Sequence, residues 1–151
     1  MITKVFDTYE TLARATADLI KDYNNHKPSS LVCIASGHTP VGAFQNLIED
    51  VHAGRLDISQ CTFISLDEWI GIDPRDPGSC MSMLRKDFFS HLKLPEKQIE
   101  FFNVQAIDLE KECVRINTLI EHKGGVDIML VGGGTNGHTG MNEPGTSFWS
   151  Y

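Results

Sequence analysis

The order of apolar runs and amphipathic segments predicts an α/β fold: a three-layer α/β/α sandwich with a mainly parallel sheet. Three observations carry this. The runs SSLVCIAS, CTFISL and VDIMLV are continuously apolar, as expected of strands buried on both faces. Segments with helical spacing alternate with them. Loops rich in glycine and polar groups follow each of the three runs. With 151 residues, 41% of them hydrophobic, the chain is sized for one domain with a real core.

The elements follow in order. VFDTYETLARATADLIKDYNNH opens with Asp7 three residues before Glu10, a capping-box-like pair. Tyr9, Leu12, Thr16, Leu19, Ile20 and Tyr23 recur at helical spacing and predict its inner face. After SSLVCIAS, Thr39 is placed to cap a second helix and Pro40 fits its first position. Val41, Phe44, Leu47, Ile48 and Val51 form that helix's inner stripe, and Gly54 ends it. CTFISL is the second strand, followed by the loop DEWIGIDPRDPGSC. SMLRKDFFSHL is a helix with Leu84, Phe88 and Leu92 on one stripe, and IEFFNV a short strand. DLEKECVRINTLIEHKGG is an amphipathic helix carrying Cys113, Ile116, Leu119 and Ile120, stopped at Gly124. VDIMLV completes the set as a further buried strand.

Composition narrows the function classes. The formal net charge of −7 argues against a nucleic-acid backbone as partner, so an anionic ligand would need localised donors. Cys33, Cys61, Cys80 and Cys113 contain no C-x-x-C pair, and four reduced thiols in a cytoplasmic protein are expected. No window approaches the ~20 apolar residues of a membrane span, and the N-terminus has no signal-peptide core. Neither a metal site nor a cofactor is expected. The sequence leaves the oligomeric state open; a homo-oligomer is compatible with it.

Ligands of parallel sheets bind at the carboxyl ends of the strands, where three loops carry unusual chemistry. ASGHTP is a short glycine turn entering a helix. Its backbone N–H groups and the helix dipole favour an anion such as phosphate, which makes Gly37, His38 and Thr39 candidate binding residues. The turn lacks the Walker lysine and the full G-x-G-x-x-G pattern. SLDEWIG sets Asp67 and Glu68 directly after a buried strand. A carboxylate partly withdrawn from water gains basicity, which suits Asp67 to general-base work. GGGTNGHTGMNEPG holds Gly134, Asn136, His138, Asn142 and Glu143. Its His can shuttle a proton near neutrality, a carboxylate can orient the ring, and glycines permit close approach to a ligand. Plain turns with a surface His and solvated acids are the competing reading.

SGHTP, SLDEW and GGGTNGHTGMNEPG together resemble the sugar-phosphate deaminase/isomerase family that includes glucosamine-6-phosphate deaminase and, more distantly, 6-phosphogluconolactonase. FISLDEWIGI, PGSCMSML and KGGVDIMLVGGGTNGHTGMNEPG look closest to the galactosamine-6-phosphate deaminase/isomerase branch. The resemblance implies a sandwich of modified Rossmann type and conversion of an amino-sugar 6-phosphate to a ketose 6-phosphate and ammonia, without metal or cofactor. It implies that Asp67 moves a proton between C2 and C1, that His138 opens the sugar ring with Glu143 as its partner, and that Gly37, His38 and Thr39 hold phosphate. Glu68 and Gly134 are expected beside the substrate. Asn136 stands where glucosamine-6-phosphate deaminases usually carry an acid; an amide can fix the imidazole tautomer but supplies no charge. His38 stands where the deaminases often have Ser. Family chains continue past Tyr151, so residues 1–151 are expected to form a single α/β domain that is the N-terminal part of a longer one. A lactone hydrolase and a non-catalytic sugar-phosphate-binding fragment are the alternatives.

Overall fold

The computed structural model describes residues 2–147; the expected domain limits, residues 1 and 151, lie outside them. The elements run α1 (Tyr9–His26), β1 (Leu31–Ile34), α2 (Val41–His52), β2 (Thr62–Ser65), α3 (Cys80–Asp87), β3 (Ile99–Glu100), α4 (Leu109–His122) and β4 (Ile128–Leu130). Among the described residues the sheet has the order β3-β2-β1-β4, with every pairing parallel.

β1 and β2 are the central strands, and each of their residues is buried. Alternation divides them between two cores. Val32, Ile34 and Phe63 join α1, α2 and α3 through Ile20, Phe44, Leu47, Leu84 and Phe88. Leu31, Cys33 and Ile64 point the other way, onto Ile116 of α4. Phe44, Phe63, Phe88 and Phe89 form a chain of ring contacts with centroids 4.8–5.6 Å apart. Helices on both faces make the expected three layers.

Three details correct the sequence reading. The cap of α1 is Thr8, which exchanges hydrogen bonds with Thr11; Asp7 and Glu10 do not form it. The inner face of α1 is Ala13, Ala17, Ile20 and Asn24, while Leu12 and Leu19 are exposed. Small residues face inward because α1 and α2 approach closely: a Cβ on Gly42 would lie 2.8 Å from that of Ala13. The third concerns β4, which is half-buried with Met129 54% exposed, because it stands at the sheet edge among the described residues.

Charge also joins α1 to α2. Asp50, fully buried, accepts from Arg14 and Lys21 of α1 and from Arg55. Burial alone would raise its pKa, but the hydrogen bonds from these three cations outweigh it and hold the carboxyl well below the usual range.

Candidate active site

Strand register sets the geometry of the site. Ile34 lies opposite Ser65 of β2 and opposite Leu130 of β4. Main-chain bonds extend the sheet one step further, from Leu66 N–H to Ile34 O and from Ala35 N–H to Leu130 O. Ser36, Asp67 and Gly132 each lie two residues past the matched positions, so three loops leave the sheet level with one another. All three residues line one cleft of about 480 Å³, with Leu66, Trp69, Cys80, Met83, His138, Gly140, Met141 and Glu143.

Asp67 is half-buried and lines this cleft. The Cys80 thiol, at the start of α3, lies 3.6 Å from Asp67 Oδ1. Burial pushes the Cys80 thiol up to about 12, so it stays protonated and can donate to the carboxylate. Cys33 of β1 is likewise raised to about 11 by burial and by the charge of Asp67. Sequence reasoning expected both to be reduced thiols and gave neither a place in the site. The signal that could have placed Cys80 here is its position on the first turn of the helix that follows the Asp67 loop.

The Glu68 carboxylate is engaged by main-chain N–H groups. Its Oε1 accepts from the N–H groups of Trp69 and Cys80, and its Oε2 from that of Met81. The carboxylate thus satisfies two N–H groups at the start of α3, where its charge also meets the helix dipole. Both oxygens are engaged by backbone, and Glu68 is not among the residues that line the cleft.

The loop after β4 builds a relay. His138 Nδ1 lies 2.7 Å from Asn136 Oδ1, and the Asn136 amide donates to Glu143 Oε2 at 2.7 Å. A carboxylate cannot donate, so the amide must turn its NH₂ to Glu143 and its oxygen to the ring. The imidazole then carries its proton on Nδ1 and leaves Nε2 as an acceptor. Glu143 Oε1 lies 3.7 Å from Nδ1. The expected His–Glu partnership therefore runs chiefly through Asn136.

Gly134 belongs to the scaffold of this relay and does not line the cleft. Its N–H donates to the His138 carbonyl, and a Cβ at this position would fall onto the imidazole ring. The left-handed glycines of the loop are Gly137 and Gly140, with Gly145 at its end, and the run Gly132–Gly134 is not among them.

The loop after β1 meets the cleft through Ser36. Gly37 turns with φ +92°, His38 and Thr39 are exposed, and none of the three lines the cleft itself. Thr39 does not cap α2. The N-cap is Pro40, which has no side-chain capping bond among the described residues. Among the described residues no cluster of His, Cys, Asp and Glu is arranged to hold a metal, and no helix is long and apolar enough to cross a membrane.

Comparison with known proteins identifies relatives over most of this chain. A glucosamine-6-phosphate deaminase of Bacillus pumilus (strain SAFR-032) is 39% identical over 143 residues, covering 95% of this chain and 59% of that protein. One of Geobacillus sp. (strain WCH70) is 39% identical over 140 residues, covering 93% and 56%. A solved monomeric glucosamine-6-phosphate deaminase superposes with TM-score 0.92 at 37% identity, covering 99% of this chain and 62% of that one. The 6-phosphogluconolactonase of Thermotoga maritima shares the fold, with TM-score 0.75 at 19% identity over 91% of this chain and 61% of that one. The chain spans little more than half the length of the curated relatives it matches. The family described as glucosamine-6-phosphate isomerases/6-phosphogluconolactonase matches residues 5–141, and with relatives of this identity beside it the chain belongs to that family.

Proposed function

We propose that the chain carries the proton-transfer half of an amino-sugar-phosphate deaminase active site, acting on galactosamine 6-phosphate or glucosamine 6-phosphate. The observation that supports this is the convergence of Asp67 and the His138–Asn136–Glu143 relay on one cleft. His138 Nε2 takes and returns the proton that moves when the sugar ring opens. Asp67 removes the C2 proton of the open aldose and delivers it to C1. The imine left at C2 is hydrolysed by water to the ketose 6-phosphate and ammonia. The Ser36–Thr39 turn presents main-chain N–H groups to the phosphate. No step calls for a metal or cofactor, and the acidic surface suits a small anion held by local donors better than a nucleic acid.

Asn136, neutral where an acid is usual in glucosamine-6-phosphate deaminases, favours galactosamine 6-phosphate as the better substrate. The test is ammonia release from both amino-sugar phosphates, run beside hydrolysis of 6-phosphogluconolactone. Ammonia from either sugar supports the reading. Lactone hydrolysis without ammonia release would replace it with the hydrolase, and binding without turnover would leave a sugar-phosphate-binding unit.

A further inference from the structure

The geometry points to Tyr9 as a positioning residue that sets the shape of the phosphate turn. This inference rests on the reading of Ser36–Thr39 as the phosphate-binding loop. Tyr9 is the first residue of α1, about 30 positions before the turn. Its hydroxyl donates to the Thr39 carbonyl at 2.8 Å, with the His38 carbonyl 3.4 Å away. The same hydroxyl accepts from the Gly42 N–H at 2.8 Å. It therefore uses its one proton and a lone pair to join the end of the turn to the first turn of α2.

Two further observations make this more than a surface contact. The N-cap Pro40 offers no side-chain oxygen to the orphan N–H groups of α2, so the Tyr9 hydroxyl does what a Ser or Thr cap would do. Gly42 leaves the space the ring occupies: a Cβ there would lie 2.8 Å from Tyr9 Cε1 and 3.0 Å from Cζ. Two residues of different helices are matched to this one bond pair. The His38 carbonyl shares its peptide plane with the Thr39 N–H, and the Thr39 carbonyl shares its plane with the Pro40 nitrogen, which has no N–H; holding both carbonyls orients the one donor and fixes where the turn enters α2. Without the hydroxyl those planes gain freedom that binding must remove.

The test is Tyr9→Phe, which keeps the ring against Gly42 and removes only the hydroxyl. Inorganic phosphate is titrated into the full chain while the amide resonances of Gly37, His38 and Thr39 are followed. The dissociation constant should rise about three- to tenfold, the worth of one or two ordinary hydrogen bonds. Gly42 N–H should exchange faster in the variant. In turnover the loss should appear in KM and not in kcat. Gly42→Ala, which crowds the ring while sparing the hydroxyl, should shift phosphate affinity the same way. Phosphate affinity unchanged by Tyr9→Phe would overturn the inference whatever the activity. No phosphate binding by the unsubstituted chain would overturn both this inference and the phosphate-loop reading. Phosphate binding that depends on Tyr9, in a chain that releases no ammonia, would support this inference and count against the deaminase alone.

Discussion

The loop after β2 and the loop after β4 bring Asp67 and His138 to one cleft, but they are held in different ways. Residues 67–79 are tied to the core: Glu68 binds backbone of α3, Ser79 Oγ donates to the Pro74 carbonyl, and the buried Cys80 thiol meets Asp67. Residues 132–145 are tied chiefly to themselves. Gly134 pairs with His138, Thr139 with Asn142, and Asn136 with Glu143, while most of these side chains are exposed. Asp67 is thus set by packing and the His138 imidazole by a folded motif. The first arrangement resists local change and fails with the fold. The second can be broken by a single substitution that leaves the fold intact.

Asp67→Asn should give the largest effect. The amide keeps the shape but cannot accept the C2 proton, so kcat should fall about 10²–10⁴-fold with KM little changed. Cyclic and open-chain substrates should suffer alike. A near-normal kcat in stopped-assay ammonia release would reduce Asp67 to a turn residue.

His138→Gln should slow the cyclic sugar by up to about the same factor and spare an analogue already in open-chain form. Equal losses on both substrates would remove ring opening from its role. Gly134→Ala sharpens the comparison, since its methyl must displace the ring. A misplacement of this order costs up to about 10²-fold in rate. Thermal stability should barely change, because the loop lies outside both cores. A large fall in Tm would show that the loop is part of the folding unit.

Glu68→Gln is the smallest of these changes and reads the anchored loop. A neutral amide offers one oxygen where the carboxylate offers two. About 1–2 kcal/mol of stability should be lost in denaturant titration. Exchange of the Cys80 and Met81 amides should quicken, and unchanged exchange would show that the capping bonds do not hold in solution.

The same contrast explains what was legible in the sequence. The loop after β4 is readable because its chemistry is local: His138, Asn136 and Glu143 lie within seven positions and bond to one another. The alternation of buried strands and amphipathic helices was legible for the same reason, and so was the burial of Leu84, Phe88 and Leu92, although α3 ends at Asp87 and a 3-10 turn, Phe89–His91, replaces the rest of the expected helix. What escaped depends on distant partners. Glu68 reads as a cleft acid until Cys80 and Met81 come to it from 12 and 13 residues away. Leu12 and Leu19 read as core until close packing on Gly42 gives the inner face of α1 to alanines. Thr39 reads as a cap until the hydroxyl of Tyr9 takes up the Gly42 N–H.

The place of β4 beside β1 has a consequence for the order in which the molecule is made. Asp127, just ahead of β4, accepts the Leu31 N–H from 96 residues away, and Val32 pairs in register with Ile128. At a synthesis rate of roughly 5–20 residues per second, one edge of β1 stays unpaired for about 5–20 s after the strand leaves the ribosome. During that interval the most buried strand of the final sheet is an open template for a neighbouring nascent chain. Late closure on β1 makes β4 a timing element as well as a support for the His138 loop. Slowed translation between α4 and β4 should therefore lower the soluble yield.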